Sequence, residues 1–270
     1  MKYIASAVLT VLVLCIGYFG LQAYAHAKSY EENTQQLVID KSAMMQAEYH
    51  AKEWIEKLSL GYVKNEQKIA REQIEDQRLL HQESAKRFTM YAMIALGAVL
   101  FGYFIVGLRV FTFFGGLSAL TVLYFGLFSP ILSVTIHKEI EYIGDVVLSF
   151  ESKSVLGSVV KLWEGGDIVV ALTILLFSVL VPLLKTVSLM FVSIVVESRF
   201  AHGIVKFFKM IGKWSMVDVF VVATLLVFLS GNGSDVSQAE IQIGIYFFLA
   251  YVIVSMLVSL SAEKMLEKVK

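Results

Sequence analysis

The chain has 270 residues, 57% of them hydrophobic and 17% charged, with a mean hydropathy of +0.70. That balance excludes an ordinary soluble globular domain and indicates a membrane protein. Lys+Arg and Asp+Glu are equal at 23 each, which gives no argument for nucleic acid or an acidic substrate, and the single cysteine, Cys15, excludes an intrachain disulfide and any CxxC metal or redox site.

Crossing about 30 Å of hydrocarbon takes about 20 apolar residues as a helix. Six stretches meet or approach that length: Tyr3 to Ala25, Phe88 to Leu108, Thr112 to Ser133, Ile168 to Val196, Trp214 to Ser230 and Ile241 to Ser261. The second and third are separated only by Arg109 and its neighbours, so a single bent span is an alternative to a tight turn there. The first also resembles a signal peptide, because Ala25-His26-Ala27 has the A-x-A form of a cleavage site. Its uncharged stretch exceeds the usual h-region, which favours an uncleaved anchor.

Basic residues in short loops set the direction. Arg199, Lys206, Lys209 and Lys213 lie between the fourth and fifth spans, and Lys264, Lys268 and Lys270 follow the sixth, whereas GNGSDVSQAE between the fifth and sixth has neither Lys nor Arg. Both termini are therefore expected in the cytoplasm, with residues 28–87 and 134–166 outside. Lys86 and Arg87 dissent, but long loops cross largely regardless of charge.

Residues 28–87 are polar, proline-free and rich in helix formers, which predicts a helical arm of about 90 Å if unbroken and about half that if folded back near Gly61. Ile55, Leu58, Tyr62 and Ile69 keep a heptad-like spacing that Glu72 and Asp76 break, so a self-packed hairpin is favoured over a partner-docking arm. Residues 134–153 differ. SVTIHKEI and DVVLSFES alternate in part around Ile143-Gly144-Asp145, which predicts a small antiparallel hairpin, and Ser154 then caps a short helix.

The fourth span contains FSVLVPLLK, residues 177–185, with a lysine inside lipid-spanning sequence. A mid-span lysine costs about 2.5–3.5 kcal/mol on insertion scales. Lys185 lies about 18 Å by helix rise from the basic end of its span, too deep to snorkel easily, so it is expected to face the protein interior and find a partner. Pro182 removes a backbone donor and predicts a kink, and Ser178 is two turns before Lys185 on the same face. Asp218 near the start of the fifth span is the candidate partner, with Ser215 one turn before it; Ser255 and Ser259 share a face of the last span. Each has a plainer reading. Serines are common packing devices in membranes, Asp218 suits a helix N-terminus, and Lys185 in a buried ion pair would merely fix helix register.

Residues 112–266 resemble the paraquat-inducible protein A (PqiA/LetA) family. The motifs that carry the resemblance are SVVKLWEGGDIVVAL (158–172), FSVLVPLLK (177–185), IGKWSMVDVFVVA (211–223) and VIVSMLVSLS (252–261), with Pro130 matching a proline of the family's first core helix. The resemblance implies an all-α polytopic protein of the bacterial inner membrane. Its module is a four-helix core with a β-bearing cap, residues 112–266, to which this chain adds an anchor (1–27), an arm (28–87) and an extra span (88–111). It further implies a lipid-transport role, loading or extracting phospholipids with a mammalian-cell-entry (MCE) protein of the periplasm. Ser178, Pro182, Lys185, Ser215, Asp218 and Ser255 then occupy a polar network for lipid head groups or protons, with Trp163, Trp214 and Ser259 as secondary positions. Typical members carry two modules and cytoplasmic zinc ribbons. This chain has one module and no zinc ligands, so a homo-oligomer is one way to supply the second.

No cofactor or metal site is expected. Walker, GxSxG and HExxH motifs are missing from the sequence, so the chain reads as a non-enzyme. The alternatives are a structural scaffold that presents its outer arm to a partner complex, and a lipid-modifying enzyme using His137 and Asp145 of the outer segment, which more simply read as surface residues.

Overall fold

A computed structural model of the chain describes residues 2–40, 66–140, 144–195, 203 and 237–268. Among these residues five helices are long and apolar enough to cross a membrane, beside one small antiparallel sheet. The chain is a multi-pass membrane protein of the all-α class. The expected fifth span, Trp214 to Ser230, lies outside the described residues, as do Ile55, Leu58, Gly61, Tyr62 and the basic loop before that span.

Helix α1 (Lys2–Asp40) and helix α2 (Glu66–Ile105) have 39 and 40 residues, about twice what hydrocarbon requires. With no proline in either, each continues unbroken from apolar span into polar arm. They run antiparallel along their length: Leu9 lies against Gly102, the Phe19 ring stacks on Phe88 at 6.4 Å, and His26 Nδ1 is 2.9 Å from His81 Nδ1. Ala25-His26-Ala27 is mid-helix, with Ala27 buried. Ile69, the described member of the heptad-like series, is exposed.

A turn at Val106-Gly107 separates α2 from helix α3 (Leu108–Phe128), so the second and third spans are two helices. Arg109 donates through Nε to Ser193 O at 2.8 Å and through a terminal nitrogen to Ile194 O at 2.7 Å. A guanidinium thereby satisfies carbonyls at the C-terminus of the fourth crossing, where the helix dipole also favours a cation. The third span ends at Phe128, short of the expected Ser133. Pro130 forces its predecessor out of helical geometry, and Ser129 is accordingly extended at φ −71°, ψ 150°. Pro130 thus follows the helix instead of lying within it.

Strands β1 (Leu132–Ile140) and β2 (Gly144–Lys153) form the expected hairpin, with a register shift between Ile136 and His137; Glu139 pairs with Asp145. A third strand, β3 (Ser237–Ile241), was not anticipated and pairs along the other edge of β1, Leu132 opposite Ile241. It passes directly into the last helix, α7 (Ile243–Glu267), and that junction is pinned by Gln242 N–H donating to Ile131 O and Gly244 N–H to Pro130 O. The Gln242 side chain adds a 2.8 Å bond to Ser133 Oγ.

Helix α4 (Val155–Glu164) starts as expected: Ser154 Oγ accepts from Gly157 N–H at 3.0 Å. Gly165-Gly166 ends it, with Gly166 at φ 88°, the left-handed conformation that favours glycine. The fourth crossing follows as helix α5 (Ile168–Ile174), a π turn (Leu175–Leu180) and helix α6 (Val181–Ile194).

The centre of the bundle is α3, α6 and α7. Phe111, Leu123, Leu189, Phe247, Val254 and Val258 are essentially inaccessible there. Close approach of α3 to α7 depends on Gly126, where a Cβ would sit 2.9 Å from the backbone nitrogen of Phe248. Lys264 Nζ donates to Tyr103 OH at 3.0 Å, so the ends of α2, α6 and α7 and the start of α3 meet at one end of the bundle. The sheet and α4 lie at the other.

Candidate polar site of the fourth crossing

Helix α6 has a two-faced pattern. Pro182, Lys185, Thr186, Leu189, Val192 and Ser193 are buried, at spacings of three and four residues, while Leu183, Leu184, Val187 and Phe191 are exposed. Lys185 is only 8% exposed. Its cation is turned away from the lipid-facing side, as a charge at membrane depth requires.

The proline acts differently from the expected kink. Upstream of Pro182 the helix widens into the π turn, and Val181 N–H bonds to Leu176 O, five residues back. With Val181 N–H taken by Leu176 O and no N–H on Pro182, the Phe177 carbonyl has neither its α-helical nor its π-helical backbone donor. Ser178 lies within this turn, half-buried.

Two residues that sequence reasoning missed complete the described part of the site. Thr186 Oγ1 donates to Pro182 O at 2.9 Å, Tyr251 OH of α7 donates to the same carbonyl at 3.0 Å, and the two hydroxyl oxygens are 3.1 Å apart. Both hydroxyls thus share the one Pro182 carbonyl as acceptor. Thr186 is 1% and Tyr251 3% exposed, so the triangle is dry. One turn beyond Tyr251 on α7 is Ser255, also buried, whose carbonyl accepts from Ser259 Oγ at 2.7 Å. Thr186 sits one turn after Pro182, and Tyr251 one turn before Ser255. Applying the four-residue spacing outward from those two candidates was the signal that would have found them.

The expected site is thus brought together in part. Pro182, Lys185 and Ser255 are buried in the bundle, Ser178 flanks them, and Ser259 is tied to the Ser255 carbonyl. Trp163 is elsewhere, 54% exposed on α4. Trp214, Ser215 and Asp218 lie outside the described residues. Among the described residues no group of three or more His, Cys, Asp or Glu side chains is placed to hold a metal.

The module that carries this geometry, from α3 to α7, coincides with a match to the family model "Paraquat-inducible protein A" over residues 112–267, more than half of the chain. The chain belongs to that family. Among curated proteins, the paraquat-inducible protein A members of Escherichia coli K12, Escherichia coli O6:H1 and Shigella flexneri, each called an intermembrane transport protein, are 32% identical over 95 residues. The aligned stretch is 33% of this chain and 23% of each relative. This chain therefore matches less than a quarter of the length of those relatives. No solved structure matches it. Helices α1 and α2 precede the region that carries the match.

Proposed function

We propose that the chain is the inner-membrane component of a bacterial lipid-transport system, loading or extracting phospholipids across the envelope with an MCE-type periplasmic partner and without enzymatic chemistry of its own. The supporting observation is the burial of Lys185 on the face of α6 that also carries Pro182 and Thr186. A buried ammonium on a helix face that also carries hydroxyls suits an anionic phosphate head group or a relayed proton. Asp218 and Ser215 are assigned to the same network, and a homo-oligomer supplies the second module that relatives carry in one chain.

The test is Lys185→Met in an envelope-defect strain complemented by this gene. Methionine keeps the length and apolar packing of the lysine stem but not the charge. Plating efficiency on detergent is expected to fall towards that of the uncomplemented strain, with the protein still present in the membrane. Full complementation by Lys185→Met rejects the transport mechanism.

The unbroken extension of α1 and α2 beyond their apolar spans favours a second reading, a scaffold that presents the arm to a partner complex. Deleting residues 34–84 separates the two. If that deletion abolishes complementation while Lys185→Met retains it, the scaffold is the function.

A further inference from the structure

A cleft of about 810 Å³ lies between the base of the arm and the cap and shares no lining residue with the polar site of the fourth crossing. One wall is α1, and the others are β2 and α4. Its apolar floor is formed by Tyr24, Phe128, Pro130 and Phe150. Tyr24 and Phe128 mark where the apolar stretches of α1 and α3 end, so the cleft sits at the depth of lipid head groups, with apolar surface beneath it and polar groups around it.

The charges of the lining decide what fits. Three ammonium groups, Lys28, Lys153 and Lys161, face the cleft together with three carboxylates, Glu31, Glu151 and Asp167. Glu151 accepts from both Lys153, at 3.2 Å, and Lys161, at 3.1 Å. The first turn of α4, with Ser154, Gly157 and Ser158, lines the same side and presents its positive dipole end. That side sets two ammonium groups and a helix N-terminus against one carboxylate, a net positive charge that suits a phosphate. Glu31 on the α1 wall and Asp167 at the start of α5 add two carboxylates to the lining, and Asp167 makes no side-chain cap bond to its helix. A purely anionic ligand meets carboxylates here and a purely cationic one meets lysines. A ligand carrying both charges satisfies both.

We propose that this cleft binds the zwitterionic phosphate–ammonium head group of a phospholipid, with Lys153, Lys161 and the first turn of α4 taking the phosphate and Glu31 and Asp167 the ammonium. The site joins the family module to a helix that precedes it, and its occupancy does not depend on whether the chain transports lipid.

The test is native mass spectrometry of the detergent-purified full chain titrated with dioleoyl phosphatidylethanolamine, dioleoyl phosphatidylglycerol or soluble phosphoethanolamine. One phosphatidylethanolamine per chain is expected at concentrations where phosphatidylglycerol occupancy is several-fold lower. Lys161→Ala, at an exposed position that leaves folding intact, is expected to weaken phosphatidylethanolamine binding about tenfold through loss of one charged contact. Ser158→Trp fills the cleft and is expected to remove binding in protein with an unchanged elution profile. Equal retention of the two lipids, or unchanged binding in both variants, overturns the proposal, and displacement by equimolar soluble phosphoethanolamine overturns its assignment to a lipid. Lys185→Met is expected to retain this binding, so failure of the transport reading and failure of the cleft are told apart.

Discussion

The contact between α3 and α7 and the fourth membrane crossing are built from the same kind of apolar sequence and pack in opposite ways. Between α3 and α7 the backbones approach until Gly126 leaves no room for a methyl group, and large side chains such as Phe111 and Phe247 are sealed completely. Thr112 Oγ1 even bonds to Ser261 Oγ across the contact at 3.0 Å. The fourth crossing instead leaves most of its surface to lipid, widens into a π turn and concentrates buried polarity on one stripe. In a bilayer, where apolar side chains gain little by leaving lipid for protein, close backbone approach is what holds helices together. Among the described residues the fourth crossing makes one such approach, at Gly116 against Met190, and a crossing held by fewer of them is the part freer to move.

The largest effect expected from breaking this contrast is on the tight side. Gly126→Val puts a branched side chain against the Phe248 backbone, which cannot swing away as a flexible side chain would. Overpacking of this kind costs about 1–3 kcal/mol. Thermal unfolding in detergent should therefore shift markedly downward. Val169→Ala, on the exposed side of α5, should leave the midpoint nearly unchanged. Equal shifts for the two would mean that the packing difference has no energetic content.

Tyr251→Phe sharpens the other half of the comparison. It removes one hydroxyl from the triangle while keeping the ring, leaving Pro182 O with Thr186 as its remaining side-chain donor. A neutral hydrogen bond contributes about 1 kcal/mol net, and in membranes double-mutant measurements average about 0.6 kcal/mol. The double variant Tyr251→Phe/Thr186→Val should cost more than the sum of its singles, because either hydroxyl alone still serves the buried Pro182 carbonyl and only the double removes both side-chain donors. Additive losses would show that the two hydroxyls do not share the carbonyl.

The tight contact and the working crossing differ also in how far they could be read from residues. Spans are legible because about 20 apolar residues have one viable structure in lipid, and the inward turn of Lys185 is legible because a charge there has nowhere else to go. The hairpin was readable from alternation within 20 neighbouring residues. Strand β3 was not: SQAEI has no strand pattern of its own, and it is extended because β1, some hundred residues earlier, offers an unpaired edge. The π turn escaped for a similar reason. Proline announces a lost donor, but whether the helix bends or widens is settled by what packs against it. Thr186 and Tyr251 are 65 residues apart in the chain, and only the approach of α6 to α7 makes them one site. Asp218, the acid that sequence spacing sets opposite Lys185, falls in a segment outside the described residues.

The smallest expected effect concerns the entrance to the fourth crossing. Helix α4 leads into α5 through Gly165-Gly166, and Lys161 near its end is tied to Glu151 of β2, which is anchored through β1 and β3 to α7. The hydrogen bond from Lys161, and then that from Lys153, holds the Glu151 carboxyl below its ordinary value of 4.5. A depressed carboxyl contributes stability that is present above that ordinary value and is lost as pH falls through the lower folded one. Because Glu151 and both lysines are about half exposed or more, the contribution is that of a surface ion pair, less than about 1 kcal/mol. Unfolding midpoints of the wild type should therefore decline slightly more than those of Glu151→Gln between pH 6 and pH 3, with the gap closing at the acidic end and narrowing in high salt. If the two proteins instead diverge as pH falls, the pair does not tie the loosely held crossing to the rigid one.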